Sequence, residues 1–255
     1  AKVVLAARRE GALNAVADSV SKRGGTPLVV PTDMTDSQQV ETLAKRAIET
    51  FGTVDVLVNN AGYGQMGPIE EVSEAAVRQQ FDVNVFGLLA LTRAVVPTMR
   101  DRREGRIINL SSVAGRIAMP FMGIYNASKF AVEAISDALR VELAPFGIQT
   151  IVIQPGPVET EFFRVAEKEA AATVDLNASP YASALEKMAE TMDTSGMAWS
   201  AERTAKLIVK AMTEENPSDR YAAFNGGKVM LGLFEAIPTG VSDRLYTNAF
   251  GLDRL

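Results

Sequence analysis

The chain has 255 residues, 26 basic and 31 acidic, a formal charge of -5, and neither histidine nor cysteine. Those absences exclude a histidine general base, any Ser-His-Asp or Cys-His relay, disulfides and the usual Cys/His zinc sites. Chemistry must rest on Asp/Glu, Lys, Tyr, Ser/Thr, Asn, Arg or a bound cofactor; oxygen-only metal sites stay open in principle, and no metal ligand is assigned.

With 47% hydrophobic residues the chain can bury a full core. Its acidity and scattered cations argue against a nucleic-acid partner, because the short clusters Arg8-Arg9 and 100–106 sit among acidic or loop residues. No apolar run approaches the ~20 residues of a membrane span. The N-terminus lacks a signal-peptide pattern, and the expected location is cytoplasmic.

In chain order, a strand-like run at 3–6 is followed by a helical stretch at 10–23, a strand at 27–31 and a helix at 37–51. A strand at 54–58, a helix at 73–100, a strand at 106–110, a helix at 125–146 and a strand at 149–154 follow. The strands read as near-continuous apolar runs, as parallel strands buried on both faces do. The helices repeat apolar residues at three- and four-residue spacing, for example Val40, Leu43, Ala44, Ala47 and Ile48. Ser37 and Ser73 are candidate N-caps. The alternation predicts βαβ units in one Rossmann-type doubly wound α/β domain, a three-layer α/β/α arrangement spanning 1–255. The Ala-, Glu- and Met-rich region 160–200 breaks the rhythm. It reads either as a substrate lid over the strand ends or as a helical pair packed on the body. A helix at 201–213 and a strand-like piece at 220–224 close the core, and the amphipathic tail 228–255 extends the domain or forms a subunit contact.

The sharpest local signal is Tyr125-Asn126-Ala127-Ser128-Lys129. Four residues apart on a helix, the phenol and the ammonium share a face. A cation about 4 Å from a phenolate predicts a tyrosine pKa lowered by ~2–3 units, which suits proton transfer near neutrality. Alone the pair is weak, since most such pairs are surface decoration. Support comes from Ser111-Ser112, which ends the 106–110 strand where such sheets present their ligand site. Two other strands end in small or polar residues, at Asn59-Asn60-Ala61-Gly62 and at Pro155-Gly156-Pro157-Val158-Glu159-Thr160.

On these residues, with Asn84 inside Phe81-Asp82-Val83-Asn84-Val85, the chain resembles the short-chain dehydrogenase/reductase family from Val3 to about Tyr221. The resemblance implies that Tyr125 exchanges a proton with the substrate oxygen while the nicotinamide exchanges a hydride with the same carbon. Ser112 would orient that oxygen, Lys129 would lower the tyrosine pKa and bond the nicotinamide ribose, and Asn84 would hold a water linking Lys129 to solvent. Pro155, Gly156, Val158 and Thr160 would frame the nicotinamide. Asn60, Ala61 and Gly62 would line the adenosine side, with Asn59 bracing the sheet. Asp33-Met34 resembles the family's adenine-contacting pair. The first strand runs into Ala7-Arg8-Arg9 with no acid at the diagnostic turn, which favours NADP over NAD, because arginine suits a 2′-phosphate.

The family opens with a strand and a glycine-rich turn that cradles the pyrophosphate. Here the match to the family's second strand begins at Val3, so one unit of roughly 25 residues is expected to precede Ala1, or else to be absent from the natural protein. Without that central strand the sheet is expected to split. The substrate is expected to be a lipophilic ketone, aldehyde or alcohol flanked by Tyr63, Met66, Met119, Phe121, Met122, Phe162 and Phe163, with Met188, Met192, Met197 and Trp199 from the lid. The segment 217–221 looks like that of steroid- and retinoid-type members. Pairing through the helices at 73–100 and 125–146 would give homodimers or homotetramers. The competing reading is a catalytically silent binding or scaffold protein on the same fold.

Overall fold

The computed structural model describes residues 1–175, 178–191 and 198–254. Strand β1 (Lys2–Ala7) runs through helix α1 (Glu10–Lys22) into β2 (Thr26–Pro31), and the two strands pair in parallel. Helix α2 (Ser37–Phe51) leads to β3 (Val56–Asn59). Then come α3 (Glu74–Phe81), α4 (Gly87–Arg102), β4 (Gly105–Leu110), α5 (Gly123–Leu143) and β5 (Ile148–Pro155). The short β6 (Val158–Glu159) precedes α6 (Phe162–Thr173) and α7 (Ala182–Thr191). Strand β7 (Trp199–Ser200), α8 (Ala201–Thr213), β8 (Arg220–Ala223), α9 (Gly227–Glu235) and α10 (Thr239–Phe250) complete the order.

The main sheet is parallel in the order β3-β4-β5-β8, and β1-β2 forms a separate pair. The expected split between the halves is therefore present. Alternation along β4 explains why its two central residues are both apolar. Ile107 packs with Leu57, Val95, Met99 and Ile148, whereas Ile108 faces Ile151, Ile153, Ala211 and Tyr221. Both isoleucines are fully buried, so the sheet carries helices on both faces.

Three expectations change. Helix α2 is capped by Asp36, not Ser37: its Oδ1 accepts from the backbone N–H of Gln38 and Gln39 at 2.9 and 3.1 Å. Ser37 is already the first helical residue, and the carboxylate one step upstream serves two otherwise free amides. Ser73 does cap α3, accepting from Ala76 N–H at 3.3 Å. The single helix expected over 73–100 is interrupted by a π turn at Asp82–Phe86, which carries Asn84. Finally, the 29-residue stretch Glu74–Arg102, which holds an 18-residue window with a mean hydropathy of 1.2, is long and apolar enough to cross a membrane by length and composition. Its Leu91, Val95 and Met99 instead lie in the core with Val40, Leu43 and Ile107.

Candidate active site

Strands β3, β4 and β5 are in parallel register, so their carboxyl ends at Asn59, Leu110 and Pro155 fall on one edge. Two cavities open there. The larger, ≈ 410 Å³, is lined by Ser112, Tyr125 and Lys129 together with Pro155, Gly156, Val158 and Thr160. Its walls are apolar, from Val113, Met119, Met122, Phe162 and Phe163. The smaller, ≈ 310 Å³, takes in Arg8, Asp33, Met34, Asn60, Ala61 and Gly62. Asn60 and Gly62 line both.

Arg9 departs from expectation: it is the N-cap of α1, is exposed, and is not among the cavity-lining residues. Tyr63 lines the Arg8 cavity, not the apolar one. Its hydroxyl is buried without a hydrogen-bond partner, and burial pushes its pKa to about 12. Met66 and Phe121 are buried behind the site in one cluster with Tyr125, Ala166 and Met188. Trp199 packs against the core side of α8 and β8, with its indole N–H donating to Asn225 Oδ1 at 3.0 Å. Met192 and Met197 lie outside the described residues.

The first turns of α5 carry Tyr125 and Lys129, both buried. Lys129 Nζ donates to the Leu110 carbonyl at 2.8 Å, which anchors the helix to the end of β4. Ser112 Oγ accepts from Ala114 N–H at 3.1 Å and donates to the Pro155 carbonyl at 3.3 Å, so it bridges the ends of β4 and β5. Asn84 clamps the β3 loop to α5. Its Oδ1 accepts from Tyr63 N–H at 3.1 Å, while its Nδ2 donates to the Tyr63 carbonyl at 3.1 Å and to Ser128 Oγ at 3.0 Å. Asn59 braces the sheet interior, as expected, donating to Thr92 Oγ1 at 3.1 Å and Asn109 Oδ1 at 2.9 Å.

The electrostatics reverse the sequence expectation for Tyr125. Burial raises its pKa to about 12, opposed by a hydrogen bond with Ser112. Burial lowers Lys129 to about 8, opposed by the Glu133 charge. Nζ stands 5.9 Å from the phenol ring centroid. Burial disfavours the charged form of both groups, and Phe162, 5.5 Å from the Tyr125 ring centroid, is part of the apolar cover over the phenol.

Two sets of site residues were not foreseen. Ala201, Thr204, Ala205 and Ile208 of α8 line the larger cavity. Their i, i+3, i+4, i+7 spacing was legible, but it equally describes any core-facing helix. Glu133, buried one turn beyond Lys129, was also passed over.

The residues fit a dinucleotide in two parts: a cavity with an arginine at one end and a cavity with a phenol and hydroxyl at the other, with Asn60 and Gly62 lining both.

A parallel sheet with helices on both faces and polar groups at its carboxyl ends defines a Rossmann-type α/β protein. The model for the short chain dehydrogenase family matches residues 1–171, and the chain belongs to that family of oxidoreductases acting on CH–OH groups. It is 36% identical over 220 residues to a probable short-chain type dehydrogenase/reductase, VdlC, of Helicobacter pylori, covering 85% of this chain and 79% of that one. It is 42% identical over 142 residues to the 3-ketodihydrosphingosine reductase of Bacteroides thetaiotaomicron, covering 56% of this chain and 53% of the relative. Among solved structures, a short chain dehydrogenase/reductase from Burkholderia phymatum in complex with NAD superposes with a TM-score of 0.74 at 33% identity, over 86% of this chain and 79% of that one.

Proposed function

We propose that the protein is an NADP-dependent oxidoreductase that interconverts a lipophilic ketone or aldehyde and its alcohol. The observation that carries this reading is the meeting of Ser112, Tyr125 and Lys129 in one apolar-walled cavity. When bound, the nicotinamide supplies or accepts the hydride. Tyr125 passes its phenolic proton to the substrate oxygen, and Ser112 Oγ orients that oxygen and supports its developing charge. Burial keeps Tyr125 protonated, so the phenol stands in the form that can donate a proton. Lys129, held by the Leu110 carbonyl, sets the local potential and reaches the nicotinamide ribose. Asn84 holds the β3 loop against α5 and would hold a water linking Lys129 to solvent.

Arg8 lines the smaller cavity with no acid beside it in sequence, which supports NADP, although a solved relative holds NAD. The apolar walls support a lipophilic substrate, and the likeness to a sphingoid-ketone reductase agrees with that chemistry. The lid reading of about 160–200 is supported by Phe162 and Phe163 of α6, which line the cavity. Phe86, Phe130 and Val141 lie exposed at the head of α4 and along α5, which supports homodimers or homotetramers formed through those helices in the cytoplasm. The test is a panel of aldehydes, ketones and alcohols with the full chain, scored by NADPH absorbance beside NADH. Turnover of an apolar carbonyl is expected. Tight NADPH binding with no turnover across the panel would favour the silent scaffold.

A further inference from the structure

Helix α5 carries, one turn beyond Lys129, a second buried charge that the proposed chemistry does not use. Glu133 is 6% exposed and is held from two other elements. Its Oε1 accepts from Gln154 Nε2 on β5 at 2.9 Å, and its Oε2 accepts from Arg220 Nε on β8 at 3.1 Å. Arg220 in turn reaches Asp137 Oδ2 at 2.6 Å, and Asp137 pairs with Arg140 at 2.9 Å. Gly115 packs against the same turn: a Cβ there would lie 2.9 Å from the Lys129 carbonyl and 3.1 Å from Glu133 Cγ.

A buried carboxylate with both oxygens satisfied is fixed in place, because an imperfect set of partners would leave it costly. Lys129 does not meet it directly, since Nζ donates to the Leu110 carbonyl. The interaction is therefore a charge–charge attraction across one helical turn, between two groups that are both buried. Around Lys129, the titratable or charged groups are Tyr125 and Glu133 on its own helix, with Arg220 of β8 beyond Glu133. The neighbouring elements present backbone or neutral groups: Gly62 after β3, Leu110, Ser111 and Ser112 of β4 and its turn, Gln154 of β5, and Asn84 of the π turn.

We infer that Glu133 is a positioning residue of the active site: locked between β5 and β8, its carboxylate supplies the fixed negative charge that keeps Lys129 an ammonium inside the apolar interior. Its mechanistic meaning rests on the proposed oxidoreductase reading, whereas its electrostatic content does not.

The experiment reads Lys129 itself, by NMR titration of its 13Cε signal in the full chain, assigned with Lys129→Met. Glu133→Gln should lower the titration midpoint by about one unit or more. Arg220→Gln, which leaves Glu133 less neutralised, should raise it, and Glu133→Asp should recover much of the wild-type value. The opposite signs set this apart from a merely structural role, which would lower thermal stability without moving the midpoint. If Glu133→Gln does not fold, Arg220→Gln carries the test. A midpoint unchanged in the variants that fold overturns the proposal. A shifted midpoint in a wild-type protein that turns over no carbonyl with NADPH would sustain the Glu133–Lys129 coupling and refute the oxidoreductase reading alone.

Discussion

Gly62 and Asn84 are in such close register that a Cβ on Gly62 would lie 3.1 Å from Asn84 Oδ1, and 3.6 Å from Lys129 Nζ. The turn after β3, the π turn and α5 thus meet at one point with no room for a methyl group. Gly62→Ala should displace the Asn84 amide and Lys129 by a few tenths of an ångström. Misplacement at a reacting centre is costly, so kcat/KM should fall about tenfold or more while the thermal midpoint changes little. Steady-state kinetics beside a thermal scan check this. An equal loss in both would mean that the turn is simply unfolded.

Tyr125→Phe removes the proton donor but keeps the ring that packs against Phe162. Turnover should fall by about 10²–10⁴-fold, with NADPH affinity, read by fluorescence titration, nearly unchanged. Activity close to wild type would end the proposed mechanism.

The buried ammonium predicts an uncommon pH profile of stability. Lys129 is lowered from its ordinary 10.5 to about 8. Below about pH 8 the folded chain carries the buried charge at its full cost. Between about 8 and 10.5 the unfolded chain binds the proton and the folded chain does not, so this residue makes stability rise with pH, by about 3 kcal/mol over the window. Tyr125, raised to about 12, acts in the opposite sense above its ordinary value of 10, where the folded chain keeps a proton that the unfolded chain loses. Urea unfolding of wild type and Lys129→Met at pH 7, 8, 9 and 10 isolates the lysine as the difference between the two curves. A pH-independent difference would contradict it.

Cofactor preference separates the two arginines. Arg8→Ala should reduce the preference for NADPH over NADH by about tenfold, the worth of one charge-assisted hydrogen bond. Arg9→Ala, at a residue outside the cavity lining, should change that ratio less than about twofold. Kd values for both dinucleotides decide it, and equal effects would place both cations on the phosphate.

The core polar relay predicts a large cost. Asn109 is fully buried, accepts from Asn59 and donates to Ser136 Oγ at 2.9 Å. Asn109→Leu takes one hydrogen bond from each partner, leaving Asn59 with Thr92 and Ser136 with the Val132 carbonyl, and should cost about 1–3 kcal/mol in denaturant unfolding. A loss below about 1 kcal/mol would show that the relay relaxes onto other groups.

What could be read from sequence was whatever is local or periodic. The Tyr125–Lys129 spacing, the apolar runs of β4 and β5 and the small residues ending three strands are of that kind, and the structure gathers them on one edge. What could not be read depends on long-range packing. The pKa of Tyr125 turns on Phe162 closing over it from α6, 37 positions away in the chain. The Glu133–Arg220 pair spans 87 positions, and no spacing rule joins them. Tyr63 is expected from the sequence to flank the substrate with the other apolar residues of the site. The clamp from Asn84 fixes its backbone, and its ring goes to the Arg8 cavity. Asp36 and the π turn are local, but each is decided by hydrogen-bond competition over one or two residues.

The pairing of β6 with β7, through Val158↔Trp199 and Glu159↔Ser200, brings the two necks of the intervening segment side by side. The chain leaves the body and rejoins it at one hem. The part of that segment that does not pack on the body can lengthen or change composition without disturbing the register of β5 or the start of α8, because closing a longer loop adds little entropy. Phe162, Ala166, Ala184 and Met188, which cluster with Tyr125, are the residues a replacement has to keep. Grafting a related segment between Val158 and Trp199 should re-tailor which carbonyls enter, while Ser112, Tyr125 and Lys129 stay where they are.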